Sequence, residues 1–348
     1  MAARQPGARA VTLREVAEAA GLSVSAVSMA LQDHPRIGAE AKERVRRIAQ
    51  ELGYVANSAG RALRARRADA IAVIVPNTGH HVFGHSYFMH VLTGVNDVAI
   101  ERDAQLVIST NPDDAHGAAA YERVMRSGSV DGAIVTSASV SDPGIARLVA
   151  SGLPVVLLGR FPHLPDAVSV GVDDRAAERI ATRHLIEAHG RRELIHLSGP
   201  LDHQTAIDRR DGFLDAVHAA GISGRVLEGD FSEESGRRLA RAVADTRFDG
   251  LVVANDEMAF GAMTELRDAG RRIPDDLAIV GFDDFGLSRV TNPSITTIHV
   301  PAESMARLAA EQLFDLVSGA GIAEERHTVL PVELVPRASC GCDARRHP

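Results

Sequence analysis

At 348 residues and 45% hydrophobic composition, the chain has enough apolar material for a full core and room for one large domain plus a small one. Its two cysteines, Cys340 and Cys342, stand two positions apart near the C-terminus and exclude a long-range disulfide framework. No run of about 18 apolar residues occurs and no apolar segment follows Arg4 and Arg9, so a protein of the reducing cytoplasm is expected, neither secreted nor membrane-spanning.

The net charge of -8 conceals a division. Residues 1–67 carry twelve Lys or Arg against six Asp or Glu, leaving 26 against 40 for the rest. A basic head on an acidic body fits a protein that meets a polyanion at one end, because Arg and Lys gain affinity for phosphates by releasing counterions.

Thr12 followed three places on by Glu15 is a capping box, and Leu13, Val16 and Ala20 recur at helical spacing as far as Gly21, which predicts a helix over 13–20. After the turn at Gly21 and Leu22, Ser23 caps a second segment, VSAVSMAL. Its Val27, Ala30 and Leu31 form an inward stripe, and Val24, Ser25, Ser28 and Met29 are left outward. A third amphipathic segment, roughly 39–52, turns Val45, Ile48, Ala49 and Leu52 inward and stops at Gly53. Two short helices joined by a Gly-containing turn make a helix-turn-helix, whose second helix enters the major groove. Ser25 and Ser28 can hydrogen-bond bases or phosphates there, and Val24 can pack on a thymine methyl. The alternative is a three-helix bundle without a ligand.

The stretch TLREVAEAAGLSVSAVSMALQDHPRIGAEAKERVRRIAQELGYVANSAGRALR resembles the headpiece of the lactose-repressor and galactose-repressor (LacI/GalR) family, with turn, reader helix, third helix and Leu-Gly-Tyr linker in order. The resemblance implies a transcription regulator, read here as a repressor, with a headpiece over 10–56, a hinge helix and linker over 57–69 and a body over 70–340. Val24, Ser25 and Met29 stand at positions that reach base edges, with Thr12, Leu13, Ser23, Ala26 and Ser28 beside them on the DNA. Asn57 to Leu63 match the hinge helix, so Asn57, Gly60, Leu63 and Arg64 are expected on DNA, with Leu63 as the apolar wedge in the minor groove. Three positions depart from the family pattern. Met29 replaces a common arginine, Gly38 replaces a serine cap, and Gly60 costs about 1 kcal/mol inside a helix, so the hinge is expected to fold only on DNA.

From residue 70 onward, the apolar runs AIAVIVP, QLVIST, GAIVTS, PVVLLG, AVSVGV, ELIHLSG, RVLEGD, GLVVAN and LAIVGFDD alternate with amphipathic helical segments. Continuously apolar strands belong to parallel sheets covered by helices on both faces, an α/β body. Nine strands exceed one half-sheet, and GRFPHLPDA, LSRVTNPSITT and SGAGIAEER are the candidate crossings between lobes. The resemblance implies the two-lobed periplasmic-binding-protein type I architecture of doubly wound parallel sheets. The N-lobe then covers about 70–161 and 292–320, and the C-lobe about 162–291 and 321–340.

Ligands of such folds sit at the carboxyl ends of strands, which singles out Ser137, Asn255, Asp256 and Asp283. A carboxylate there can accept hydrogen bonds from vicinal hydroxyls, the chemistry that orients a sugar. By the resemblance, Asp283 and Arg209 hold the effector, Phe231 stacks on it, and Tyr87 and Phe88 touch it from the other lobe. Asp256 is expected instead to stabilise the start of the helix EMAFGAMTEL. Gly159 and Arg160 depart from the family pattern, and Arg160, counted among the effector contacts, could meet a ligand carboxylate or phosphate instead.

His80, His81, His85 and His90 crowd the segment NTGHHVFGHSYFMH, where no carboxylate or thiolate completes a ligand set, so a pocket-shaping loop is expected and no metal. Cys340-Gly341-Cys342 admits exposed thiols, a redox pair or metal ligands shared across a dimer, with exposed thiols favoured. No G-x-G-x-x-G follows a strand and no G-x-S-x-G elbow or P-loop occurs, so neither an enzyme nor a cofactor is expected. A secreted sugar-binding protein would lack residues 12–67. The expected partners are a pseudo-palindromic double-stranded operator, a small-molecule effector, most simply a sugar, and a second copy in a homodimer.

Overall fold

The Thr12 side chain accepts a hydrogen bond from the Glu15 amide while the Glu15 carboxylate accepts one from the Thr12 amide, and this closed box starts α1, Leu13–Ala20. Gly21, left-handed at φ 64°, ends it and turns the chain into α2, Val24–Leu31, where Ser23 Oγ accepts the Ala26 N–H at 3.2 Å. The third helix, α3, Ala39–Glu51, starts at Gly38 without a side-chain cap. All three pack against one another around Val16, Ala17, Ala20, Val27, Ala30, Val45 and Ala49. Leu52 departs from its expected inward position and is 40% exposed, because the helix ends there, while Ile48 and Tyr54 pack on the core.

The computed structural model describes residues 11–31, 33–54, 68–112, 118–321 and 325–342, without the side chains of His80 and His81. The hinge residues Asn57, Gly60, Leu63 and Arg64 lie outside the described residues. The chain divides into two units, Met1–Ala68 and Asp69–Pro348.

In the second unit every apolar run of the sequence is a strand: β1 Ala70–Thr78, β2 Gln105–Asn111, β3 Gly132–Thr136, β4 Val155–Leu158, β5 Val168–Val172, β6 Leu194–Ser198, β7 Gly224–Glu228, β8 Gly250–Val253 and β9 Ala278–Val280. Three further strands, β10 Thr297–His299, β11 His327–Leu330 and β12 Glu333–Val335, lie nearer the C-terminus. Six strands form one parallel sheet in the order β11-β5-β4-β3-β1-β2, four form a second in the order β7-β6-β8-β9, and β10 pairs antiparallel with β12. The central strands β3, β5, β6 and β8 are buried at every residue, as continuous apolar runs between two helical layers require. Edge strands β2 and β7 are partly exposed.

The lobe boundaries differ from those expected. β5 pairs with β4 and with β11, so residues 168–172 and 327–330 belong to the first sheet and not to the C-lobe. The Pro-rich stretch before β5 is a connector within that sheet: Leu164 N–H donates to Phe161 O at 2.9 Å and Ala167 N–H to Leu164 O at 3.1 Å, folding it back beside β4. The first crossing therefore follows Val172, and the third follows Leu330. Among the described residues no helix is long and apolar enough to cross a membrane.

Candidate functional site

Strand ends of both sheets open on one cleft of about 890 Å³, its open mouth included. Tyr87, Phe88, Ser137, Arg160, Arg209, Phe231, Asn255 and Asp283, the residues expected at an effector site, all line it. Ser137, Phe231 and Asp283 have φ of 55°, 68° and 110°, left-handed values that cost energy in non-glycine residues and that concentrate at ligand clamps.

Arg209 is the hub of the cleft. It lies buried on α9, Gln204–Ala219, where its Nε donates to Asp174 Oδ1 at 2.8 Å and its NH1 donates to the Ala254 carbonyl. The same NH1 stands 3.6 Å from Asp283 Oδ1, and the guanidinium lies 3.6 Å over the Phe282 ring. Burial raises the pKa of both Asp174 and Asp283, with the charge of Arg209 opposing the rise in each case. Burial also works against the Arg209 charge, but Asp174 and Asp283 outweigh it and raise its pKa.

Phe231 forms one wall. A Cβ at Gly199 would stand 2.2 Å from the Phe231 ring, so only glycine leaves the space the ring fills. On the facing wall, His85 caps α5, Ser86–Glu101, and accepts the Tyr87 N–H at 3.3 Å through Nδ1. Tyr87 OH and Thr136 Oγ1 are 3.1 Å apart, and burial pushes the Tyr87 phenol up to about 12. The two lobes also touch beside the cleft. Ser86 Oγ donates to Glu257 Oε1, His85 Nε2 lies 3.1 Å from Asn255 Nδ2, and Val140 N–H donates to Asp202 O at 2.7 Å.

The geometry revises several expectations. Arg160 lines the cleft but also pairs with Asp208, to which its Nε and NH2 donate at 2.9 and 2.7 Å, a partner the sequence did not point to. Asp256, by contrast, stands where it was expected, in the first turn of α11, Asp256–Asp268, buried and away from the cleft lining. It accepts the Asp284 amide at 2.9 Å, and burial pushes its carboxyl up to about 8. His85 lines the cleft, whereas His90 turns to Glu303, 2.6 Å away, and the side chains of His80 and His81 lie outside the description. Cys340 is fully buried and Cys342 half-buried, so they are not exposed thiols; Cys340 packs in the core, where Thr296 Oγ1 donates to its sulfur at 3.0 Å. Sequence reasoning missed Asp174. Its signal was Asp173-Asp174 following the run AVSVGV, as Asp283-Asp284 follows LAIVGF.

In the headpiece, Val24, Ser25, Ser28 and Met29 recur at i, i+1, i+4 and i+5, on a face of α2 turned away from the buried Val27 and Ala30. Thr12, Ser23, Val24 and Ser25 are exposed, and Leu13, Ala26, Ser28 and Met29 are half-buried.

A helix-turn-helix unit and a second unit with a strand-end cleft define a ligand-sensing, DNA-binding regulator. A family model described as bacterial regulatory proteins, lacI family, matches residues 12–57, and one for a periplasmic binding protein-like domain matches residues 182–340. The chain is 33% identical to the HTH-type transcriptional regulator CelR of Thermobifida fusca over 94% of its own length and 96% of the relative. It is 29% identical to the ribose operon repressor of Halalkalibacterium halodurans over the same shares. Among solved structures, the CelR–cellobiose complex matches with a TM-score of 0.73 at 31% identity, covering 94% of this chain and 99% of that one. A lac repressor dimer bound to operator and the anti-inducer ONPF matches at 0.85 and 25% identity, over 95% and 99%. The chain belongs to the lacI family and is a DNA-binding transcription regulator.

Proposed function

We propose that this regulator is a repressor whose operator affinity is set by a neutral mono- or disaccharide held in the cleft. The observation that carries the reading is the Arg209 hub. Its guanidinium already meets Asp174 and Asp283, and Arg160 already meets Asp208, so neither cation stands unpaired for a ligand anion and a ligand without charge fits the cleft best. Asp283 can accept paired hydroxyl hydrogen bonds, Asn255 can add polar contacts, and Phe231 and Phe88 offer faces to a sugar ring. The cellobiose complex and the ribose operon repressor among the relatives support the same class.

On DNA, a homodimer presents two copies of α2 to the half-sites of a pseudo-palindrome, as the lac repressor dimer among the matched structures supports. Val24, Ser25 and Met29 face base edges, with Thr12, Leu13, Ser23, Ala26 and Ser28 beside them. Asn57, Gly60, Leu63 and Arg64 act in the hinge at the operator centre. Sugar and operator affinities are then coupled reciprocally.

A thermal-shift screen of neutral sugars, sugar phosphates and nucleobases tests the ligand class, since a ligand at about 100 times its Kd adds roughly 2.7 kcal/mol. A shift with neutral sugars that is lost in Asp283→Ala, with operator binding retained, is the expected outcome. A shift with phosphates or nucleobases alone overturns the sugar reading, and no affinity for DNA from the chain's own upstream region at any salt concentration overturns the operator reading.

A further inference from the structure

Away from the cleft, four side chains with metal-binding chemistry meet where residues 338–342 pack against the first helix after β5. That helix, α8, Asp174–Arg183, runs on into a π-helical turn, His184–Ala188, which ends at His189. In a regular α-helix, residues five apart point about 140° away from each other. The wider π turn and the bend at His189 instead bring the His184 and His189 rings edge to face with centroids 4.8 Å apart. A 3-10 turn, Ala338–Cys340, delivers Cys340 to the same place, and Gly341, at φ 101°, carries the chain round to Cys342. A Cβ at Gly341 would come within 3.4 Å of His189 Nδ1, so the turn also brings backbone close to the imidazole.

One ligand atom from each of His184, His189, Cys340 and Cys342 falls within 4.8 Å of all the others. His184 Nε2 is 3.2 Å from His189 Nε2, 3.3 Å from Cys340 Sγ and 3.6 Å from Cys342 Sγ, and His189 Nε2 is 3.4 Å from Cys342 Sγ. Zinc bonds of about 2.0–2.1 Å to nitrogen and about 2.3 Å to sulfur give a tetrahedron with N–N edges near ~3.3 Å and N–S edges near ~3.6 Å. These four separations match those edges to within a few tenths of an ångström, and the other two edges, His189–Cys340 and Cys340–Cys342, are no longer than 4.8 Å.

We infer that His184, His189, Cys340 and Cys342 form a closed four-coordinate site for a zinc-class divalent ion. Two thiolates and two imidazoles suit zinc or cobalt and disfavour magnesium or calcium, which take oxygen ligands. Four protein donors leave no open position, the arrangement of a structural site and not of a catalytic one. When the ion enters, its bonds to sulfur replace the two S–H bonds and two protons leave to solvent. The ion ties the C-terminal segment to the second lobe, where Ser339 Oγ already donates to Ile279 O at 2.6 Å and Arg337 to Asp284 at 2.6 Å.

The test uses the full chain without a histidine tag, reduced, equilibrated with zinc and freed of excess. Elemental analysis should find about one zinc per chain, and cobalt(II) in its place should show the visible bands of a tetrahedral ion and thiolate charge transfer. Cys342→Ser and His189→Gln should each weaken zinc binding at least about 100-fold, since even outer partners of a metal site are worth about 10- to 100-fold. Both variants should keep the wild-type circular dichroism spectrum, and chelation should lower the Tm of the wild type but not of the variants. A reduced wild-type chain that takes up neither zinc nor cobalt overturns the inference. So does metal content unchanged in both variants, or a chain isolated two hydrogens lighter through a Cys340–Cys342 disulfide that binds no cobalt after reduction.

Discussion

The headpiece and the cleft solve opposite problems. The headpiece core is entirely aliphatic, from Val16 to Ala49, and its polar groups stay at the surface, as in the Asp33 contacts with Lys42 and Arg46. The cleft buries its charges: Arg209, Asp174 and Asp283 are each at least nine-tenths removed from solvent. A surface built on a separate core can change what it reads without changing how it folds. A buried charge network joins recognition to stability, because each member desolvates the others and is left costly if one is removed.

The largest break in that contrast is expected from Arg209→Ala. It leaves Asp174 and Asp283 buried without their cation and should cost the body about 3–5 kcal/mol in urea unfolding. A loss under about 1 kcal/mol would mean the network adds no more than a surface pair does.

Next comes pH. Asp256 has its carboxyl raised to about 8 from 3.8, so the folded chain binds more protons than the unfolded one across that interval. Stability from this group is therefore fully present below about pH 4 and lost as pH rises through about 8. Asp256→Asn should decline less steeply than the wild type over that window in denaturant titrations, and parallel slopes would remove Asp256 as the source.

Substitutions on α2 should sharpen the contrast from the other side. Met29→Arg or Val24→Ala should shift base preference at one operator position by about 1–3 kcal/mol, read by binding to operator variants, while Tm stays put. A fall in Tm with unchanged preference would place these side chains in the core instead.

The smallest effect is expected at the cap. Thr12→Ala removes the capping box and should cost about 1 kcal/mol, visible as roughly fivefold faster hydrogen exchange in α1. No change in exchange would show that packing alone holds the helix start.

Legibility followed the range of the interactions. The ends of α1 and α2 could be read to the residue because Thr12, Glu15, Gly21 and Ser23 act within one turn of where they stand. The nine body strands could be read because burial on both faces demands unbroken apolar runs, and Ser137, Asn255 and Asp283 because they directly follow such runs. The allocation of β5 to the first sheet, the existence of β11 and the role of Asp174 were not legible. Each depends on a partner far along the chain: β5 on β11, and Asp174 on Arg209, 35 residues away.

What the sequence determined by itself is a helix-turn-helix head with named outward residues, an α/β body and the strand ends where a ligand would sit. These follow from capping, periodicity and apolar runs, which are local free energies. Tertiary structure alone decided that Arg160 is paired to Asp208, that Cys340 is buried, and that His184 and His189 meet two cysteines more than 150 residues on. The physical reason is the same in every case. Burial strips water from a polar group, and only the chain segment folded against it, whatever its place in the sequence, can replace the lost hydrogen bonds.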